Sequence, residues 1–175
     1  MRRRSRSPEE RRRIDGDVFR QITSLEAYRQ ARTVFLYCST DEEIDTRQLM
    51  EDAFCTGKQV CVPLCTDRHG EMEARKIRSA IDLIPGRYGI AEPLPDTPMV
   101  PPEEIDLCIV PCLSADLNGY RLGYGGGYYD RFLSQTPAKS AALCAECCLV
   151  PSLPAEPHDR PCNIIVTERR IHIAT

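Results

Sequence analysis

Five of the chain's ten glycines fall between residues 119 and 127: Gly119, Gly123, Gly125, Gly126 and Gly127. The run reads Asn118-Gly119-Tyr120-Arg121-Leu122-Gly123-Tyr124-Gly125-Gly126-Gly127-Tyr128-Tyr129-Asp130-Arg131. Glycine at this density lets backbone N–H groups approach a ligand with no side chains in the way. A helix opening at the far end, within Gly125 to Leu133, would add free N–H donors and a positive dipole end, and together these favour phosphate. Arg121 offers a planar charged fork. Asp130 offers a carboxylate suited to Mg²⁺ beside phosphates. Tight backbone geometry is the competing explanation of such a cluster. Known nucleotide fingerprints are absent: there is no Gly-Lys-Ser/Thr, and Tyr128 stands where a Gly-x-Gly-x-x-Gly pattern from Gly123 needs glycine. Spacing alone leaves the ligand open.

The elements that must position this run can be read from caps and periodicity. Ser7-Pro8-Glu9-Glu10 is a capping box with proline at the first helical position. Ile14, Val18, Ile22 and Leu25 then form one apolar stripe of a helix reaching about Gln30. Thr33 to Cys38 reads as a buried strand. A second helix is expected from Asp45 or Thr46 to Gly57, with Leu49, Met50 and Ala53 inward. Gln59 to Pro63, Glu71 to Ile77, Ile105 to Pro111, Ala141 to Cys147 and Ile164 to Thr167 suit further strands. Pro85-Gly86 and the stretch from Pro93 to Pro102 read as loops, and Glu168-Arg169-Arg170 as the turn of a last hairpin ending near Ile173. This alternation predicts an α/β fold with a mainly parallel central sheet and helices on both faces. It fits a single domain over residues 1–175, with residues 1–6 an Arg-rich N-terminal end. In such sheets ligands bind at the carboxyl ends of strands, and the loop after Pro111 is at such an end.

Composition is that of a globular protein, 42% hydrophobic and 28% charged, and a formal charge of −3 gives no bulk attraction to nucleic acid. No apolar run approaches the roughly 20 residues of a membrane span. The Arg-rich start has no apolar core behind it, so no secretory signal is expected and the protein reads as cytoplasmic. Most of the ten cysteines lie in apolar stretches such as Val60-Cys61-Val62, where a thiol acts as a small hydrophobe. Cys144-x-x-Cys147 has no second ligand pair and reads as packed, reduced thiols.

Arg121 to Leu133, Arg-Leu-Gly-Tyr-Gly-Gly-Gly-Tyr-Tyr-Asp-Arg-Phe-Leu, closely resembles the signature of the 5-formyltetrahydrofolate cyclo-ligase (5,10-methenyltetrahydrofolate synthetase) family. Glu43-Ile44-Asp45-Thr46, Gly57-Lys58-Gln59-Val60, Tyr88-Gly89-Ile90-Ala91-Glu92-Pro93, Val110-Pro111 and Glu156-Pro157-His158-Asp159 follow the family's order, so the likeness covers residues 8–168. The resemblance implies ATP-dependent cyclisation of 5-formyltetrahydrofolate to 5,10-methenyltetrahydrofolate with release of ADP and phosphate. It assigns Arg121, Leu122, Gly123, Tyr124, Gly125, Gly126, Gly127, Tyr128 and Tyr129 to ATP, with Arg121 and Tyr129 catalytic. Gly125 to Tyr128 would also meet the folate, together with Glu43 and Tyr88. Asp130 and Asp159 would hold Mg²⁺. It implies a small-molecule substrate, a monomer or homodimer, and neither nucleic acid nor membrane as partner. Read without the family, Glu43 is an exposed acid before a helix and Asp159 an Asx-turn former beside Pro161.

Three stretches depart from the pattern. The family usually opens with a lysine and, one helical turn on, an arginine; here Arg2, Arg3, Arg4 and Arg6 are present and no lysine precedes Lys58. That implies truncation, substitution by arginine, or weakened nucleotide binding. Cys112-Leu113-Ser114-Ala115-Asp116 lacks the family's glycine and phenylalanine, and Glu146-Cys147-Cys148-Leu149 lacks a glutamine. Two alternatives follow: a non-catalytic relative that senses folate or nucleotide, and an RNA-binding arm made of the seven arginines within residues 2–13.

Overall fold

The computed structural model describes residues 6–66, 68, 70–86 and 89–174. Helix α1 (Pro8–Ser24) opens on the expected box: the Ser7 hydroxyl accepts from the Glu10 N–H at 3.1 Å, and the Glu10 carboxylate accepts from the Ser7 N–H at 3.2 Å. Its stripe of Ile14, Val18 and Ile22 is buried. The helix does not continue to Gln30. Leu25 is extended, its N–H donating back to the Ile22 carbonyl, and a separate α2 (Glu26–Gln30) follows. The break re-aims the chain so that Tyr28 enters the core and its hydroxyl donates to Asp52 at 2.7 Å, a tertiary contact that overrides helix propensity.

The remaining elements are β1 (Thr33–Phe35), α3 (Arg47–Cys55), β2 (Gln59–Cys65), β3 (Met72–Ile77), β4 (Leu83–Pro85), β5 (Ala91–Pro93), β6 (Met99–Val100), β7 (Leu107–Pro111), β8 (Ser114–Asp116), β9 (Arg121–Leu122), α4 (Tyr128–Leu133), β10 (Lys139–Leu143), β11 (Leu149–Val150), β12 (Ile164–Val166) and β13 (Ile171–Ile173). Eight of them form one sheet in the order β13-β12-β10-β7-β1-β2-β3-β6. The five strands from β12 to β2 run parallel, β13 at one edge and β3 towards the other run against them, and β6 at that edge pairs antiparallel with β3. Neighbouring residues of a strand face opposite sides, and Val34 and Phe35 are both 0% exposed, so both faces of the centre are covered. That is why the central strands read as unbroken apolar runs. On one face Phe132 of α4 stacks on Phe35 with ring centroids 4.5 Å apart. Helix α1 packs on α2 and α3 and reaches β12.

Two proline-rich stretches expected as loops carry short strands: β4 pairs with β5 in a separate ribbon, and β6 pairs with β3. The strand expected to reach Cys147 ends at Leu143, and residues 146–148 form a 3₁₀ turn closed by the Cys148 N–H on the Ala145 carbonyl at 2.7 Å. A third sheet, β11-β8-β9, contains the start of the glycine run and was not foreseen.

Parallelism fixes where the site can be. Strands β1, β7 and β10 are neighbours pointing the same way, so the segments leaving them at residues 36–46, 112–130 and 144–163 emerge at one end of the sheet. These segments hold Glu43, the glycine run and Asp159.

Candidate active site

The glycine run begins as a hairpin, β8 paired with β9 through Ala115 and Arg121. Asp116, fully buried, organises its turn: one carboxylate oxygen accepts from the Asn118 and Tyr120 N–H groups at 3.0 Å each, the other from the Leu153 N–H at 2.8 Å. Gly119 has φ +91°, and a side chain there would collide with the Cys162 carbonyl. The Gly119 carbonyl accepts from the Cys162 N–H at 2.8 Å. The hairpin is thereby fastened to the segment that carries Asp159.

Arg121 points inward, its side chain only 6% exposed. Its guanidinium donates to the Arg160 carbonyl at 2.7 Å and to Asp130 Oδ1 at 3.1 Å. The same Asp130 oxygen accepts from the Arg160 N–H at 3.0 Å. One carboxylate therefore joins β9, α4 and the 156–160 segment. Asp159 closes a turn of its own, accepting from the Glu156 N–H at 2.8 Å; this is not the Asx turn expected from the sequence, which needs an N–H two residues on, where Pro161 has none. Asp130 meets the residue next to Asp159, which brings the two expected metal-binding segments together.

Beyond β9, Gly125 and Gly127 adopt left-handed φ of +84° and +67°. Arg131 donates to the Gly126 carbonyl at 2.9 Å and to the Gly70 carbonyl at 3.3 Å, holding the triple glycine in place. Helix α4 opens directly behind the glycines, so its first free N–H groups follow theirs along the chain. A cavity of about 400 Å³ lies against Gly125, Gly126, Gly127, Asp130, Arg131, Ser134, His158 and Arg160. Leu122 and Gly123 are exposed before it, while Tyr128 packs against the core.

The run also reaches a second cluster. Tyr124, 64% exposed, donates through its hydroxyl to Glu42 at 3.4 Å. Tyr129 lies 6.3 Å from the Phe35 ring, and burial, then the nearby Glu43 carboxylate, push its phenol well above the usual value, so it stays protonated as a donor. Glu43 is 6% exposed rather than an exposed acid. Its carboxylate accepts from the Thr40 N–H at 2.8 Å, and burial raises its pKa. The Thr40 side chain lies against both the Glu43 carboxylate and the Tyr124 hydroxyl. A buried carboxylate with spare lone pairs suits a ligand rich in N–H groups. Burial, then Glu92 and Glu43, push Cys38 up to about 12, which places the Ala91-Glu92-Pro93 strand beside this cluster. Tyr88 lies outside the described residues, as do Arg2, Arg3 and Arg4. Arg6 pairs with Glu10 at 3.2 Å.

Comparison with known proteins gives the family of the chain. The model of the 5-formyltetrahydrofolate cyclo-ligase family matches residues 1–168. The 5-formyltetrahydrofolate cyclo-ligase of Escherichia coli (strain K12) is 30% identical over 98% of this chain and 97% of its own. That of Haemophilus influenzae is 32% identical over 84% of this chain and 81% of its own. The NMR structure of Aquifex aeolicus 5,10-methenyltetrahydrofolate synthetase superposes with a TM-score of 0.87 at 31% identity, covering 99% of this chain and 87% of that one. The chain belongs to the 5-formyltetrahydrofolate cyclo-ligase family.

Within that cyclo-ligase frame, sequence reasoning missed four contributors. Asp116 was noted only as part of a departing stretch, although Asp116-Leu-Asn118-Gly119 carries hairpin-turn chemistry. Arg131 lies inside the Arg121 to Leu133 signature but was given no role, and Thr40 carried no signal. Arg160 had none: only the fold brings it to the glycines. Among the described residues no group of three or more His, Cys, Asp or Glu side chains is gathered for a metal, and no helix is long and apolar enough to cross a membrane.

Proposed function

We propose that this chain, acting as one unit over residues 1–175, catalyses the ATP-dependent cyclisation of 5-formyltetrahydrofolate to 5,10-methenyltetrahydrofolate. The phosphoryl group of ATP passes to the formyl oxygen, N10 attacks the activated carbon, and phosphate departs as the ring closes. The observation that carries this reading is the double reach of one segment: Gly125 to Gly127 line the cavity with Asp130 and Arg160, while Tyr124 and Tyr129 meet the Glu42–Glu43 turn. Phosphates suit the first end, and the N–H-rich pterin suits the second. Tyr88 is proposed to contact the folate by family resemblance. Arg121 sets Asp130 and contributes positive charge from behind it, and the protonated Tyr129 phenol orients the folate. Such positioning and fixed charge are what phosphoryl transfer requires.

The residues present also fit Mg²⁺. It is commonly held by one or two carboxylates completed by substrate phosphates and waters, so a cluster of three protein ligands is not needed. Asp130 and Asp159 would hold it, and the ion would neutralise charge on the phosphates. We further propose a cytoplasmic protein, monomeric or homodimeric, that binds neither nucleic acid nor membrane; one relative, of Arabidopsis thaliana, is named as mitochondrial.

The test is to follow methenyltetrahydrofolate absorbance with purified protein, Mg·ATP and 5-formyltetrahydrofolate, expecting one ADP per product. Tight folate binding without turnover would favour the sensing relative. Asp159→Asn is the cleaner probe of the metal, because Asn can still accept from Glu156. It should raise the Mg²⁺ concentration needed for half-maximal rate. Asp130→Asn would in addition leave the buried Arg121 charge without its partner, at a cost in stability.

A further inference from the structure

Each arginine around the glycine cavity can be asked what its charge is already doing. Arg121 is spent on Asp130 and the Arg160 carbonyl. Arg131 is spent on the Gly70 and Gly126 carbonyls. Arg160 differs. Its backbone N–H and C=O are held by Asp130 and Arg121, which fixes where its side chain starts, but its guanidinium has no hydrogen bond or ion pair among the described residues. It lines the same cavity as Gly125, Gly126 and Gly127. Building on the function proposed above, we infer that Arg160 is a phosphate-binding residue of the nucleotide site: an exposed arginine anchored at its backbone, free at its tip, and lining the cavity of the triple glycine.

The chemistry supports that assignment. A triphosphate brings several negative charges, and glycine amides contribute only partial positive ones. A guanidinium is permanently charged and its fork matches two phosphate oxygens, so one uncommitted arginine adds a strong contact. Arg160 thereby supplies a cation at the site in a chain where no lysine precedes Lys58. Its role depends on the tertiary anchor: Asp130 lies 30 residues before it and Arg121 lies 39 before it.

The experiment compares wild type, Arg160→Met and Arg160→Lys by calorimetric titration with Mg·ATP, Mg·ADP and adenosine, alongside the steady-state constants for ATP and 5-formyltetrahydrofolate. Methionine keeps the backbone contacts and much of the side-chain length while removing the charge. The expected result is Mg·ATP binding weaker by about ten- to a hundredfold in Arg160→Met, partial recovery in Arg160→Lys, and unchanged affinity for adenosine and folate. A role confined to holding the loop would shift adenosine as much as ATP, and that outcome overturns the inference. So does equal ATP affinity in wild type and Arg160→Met. A wild type that binds no Mg·ATP would overturn the proposed function as well, which separates the two failures.

Discussion

The centre of the sheet and the glycine hairpin at its carboxyl end are held by different physics. In β1, β7 and β10, residues on both faces are buried, and each side chain rests on many neighbours. The hairpin has little apolar material. Asp116, Arg121, Asp130 and Arg131 hold it through bonds to backbone groups, one contact at a time. The first region is redundant and stores stability. The second is specific and stores geometry, so a change there should cost function before it costs the fold.

The largest break in this contrast is expected from Phe132→Ala, which removes the ring stacked on Phe35 at the join between sheet and α4. A loss of about 3–5 kcal/mol in urea unfolding is expected, with activity falling only as the folded fraction falls. Asp116→Ala comes next. It strips three backbone N–H groups of a buried acceptor and should cost about 2–3 kcal/mol. Unlike the core change, its increase in hydrogen exchange should be confined to residues around 118–122 and 153. Equal exchange increases across β7 and β10 would dissolve the distinction between the regions.

Arg131→Met sharpens it. Arg131 is exposed and its bonds go to two carbonyls that water can serve, so stability should change by less than about 1 kcal/mol. With Gly126 released, kcat/KM should still fall by roughly tenfold, a ratio that would be reversed for any core substitution. Glu43→Gln should give the smallest stability effect, and of opposite sign. Burial raises the Glu43 pKa, so the folded protein prefers the neutral acid, and ionisation at higher pH costs stability. The glutamine variant should therefore melt higher than wild type at pH 8. The gap should close as pH falls below the unfolded carboxyl's value of about 4.3, where both side chains are neutral. The same variant should bind 5-formyltetrahydrofolate less well at pH 8. A lower melting temperature there would show that the Glu43 charge is compensated.

Most elements were legible because their signals are local. The capping box, the Ile14–Val18–Ile22 stripe and the inward Leu49, Met50 and Ala53 all lie within a few residues of one another, and all are found as read. The misreadings were places where tertiary contacts decided. Leu25 sits on the expected stripe, yet the chain breaks there and Tyr28 is buried against Asp52. Pro85 and Pro93 suggest loops, yet they end strands of a ribbon whose pairing no proline count reveals.

For the site the division is sharper. The signature from Arg121 to Leu133 named the family by itself, because it is long, contiguous and rich in residues that other folds rarely combine. It could not tell which arginine is turned inward and which faces the cavity. Arg121 stands first in the signature and its side chain is 6% exposed, whereas Arg160 carries no motif, lines the cavity, and has a guanidinium with no partner among the described residues. Nor could it tell that Glu43, read alone as an exposed acid, is buried beside Thr40 and within reach of Tyr129. The physical reason is range. Glycine density, caps and apolar period act over one or two turns of chain and are written in order along it. The fate of a charge depends on what packs against it, and here that is decided by segments brought together from the ends of three parallel strands.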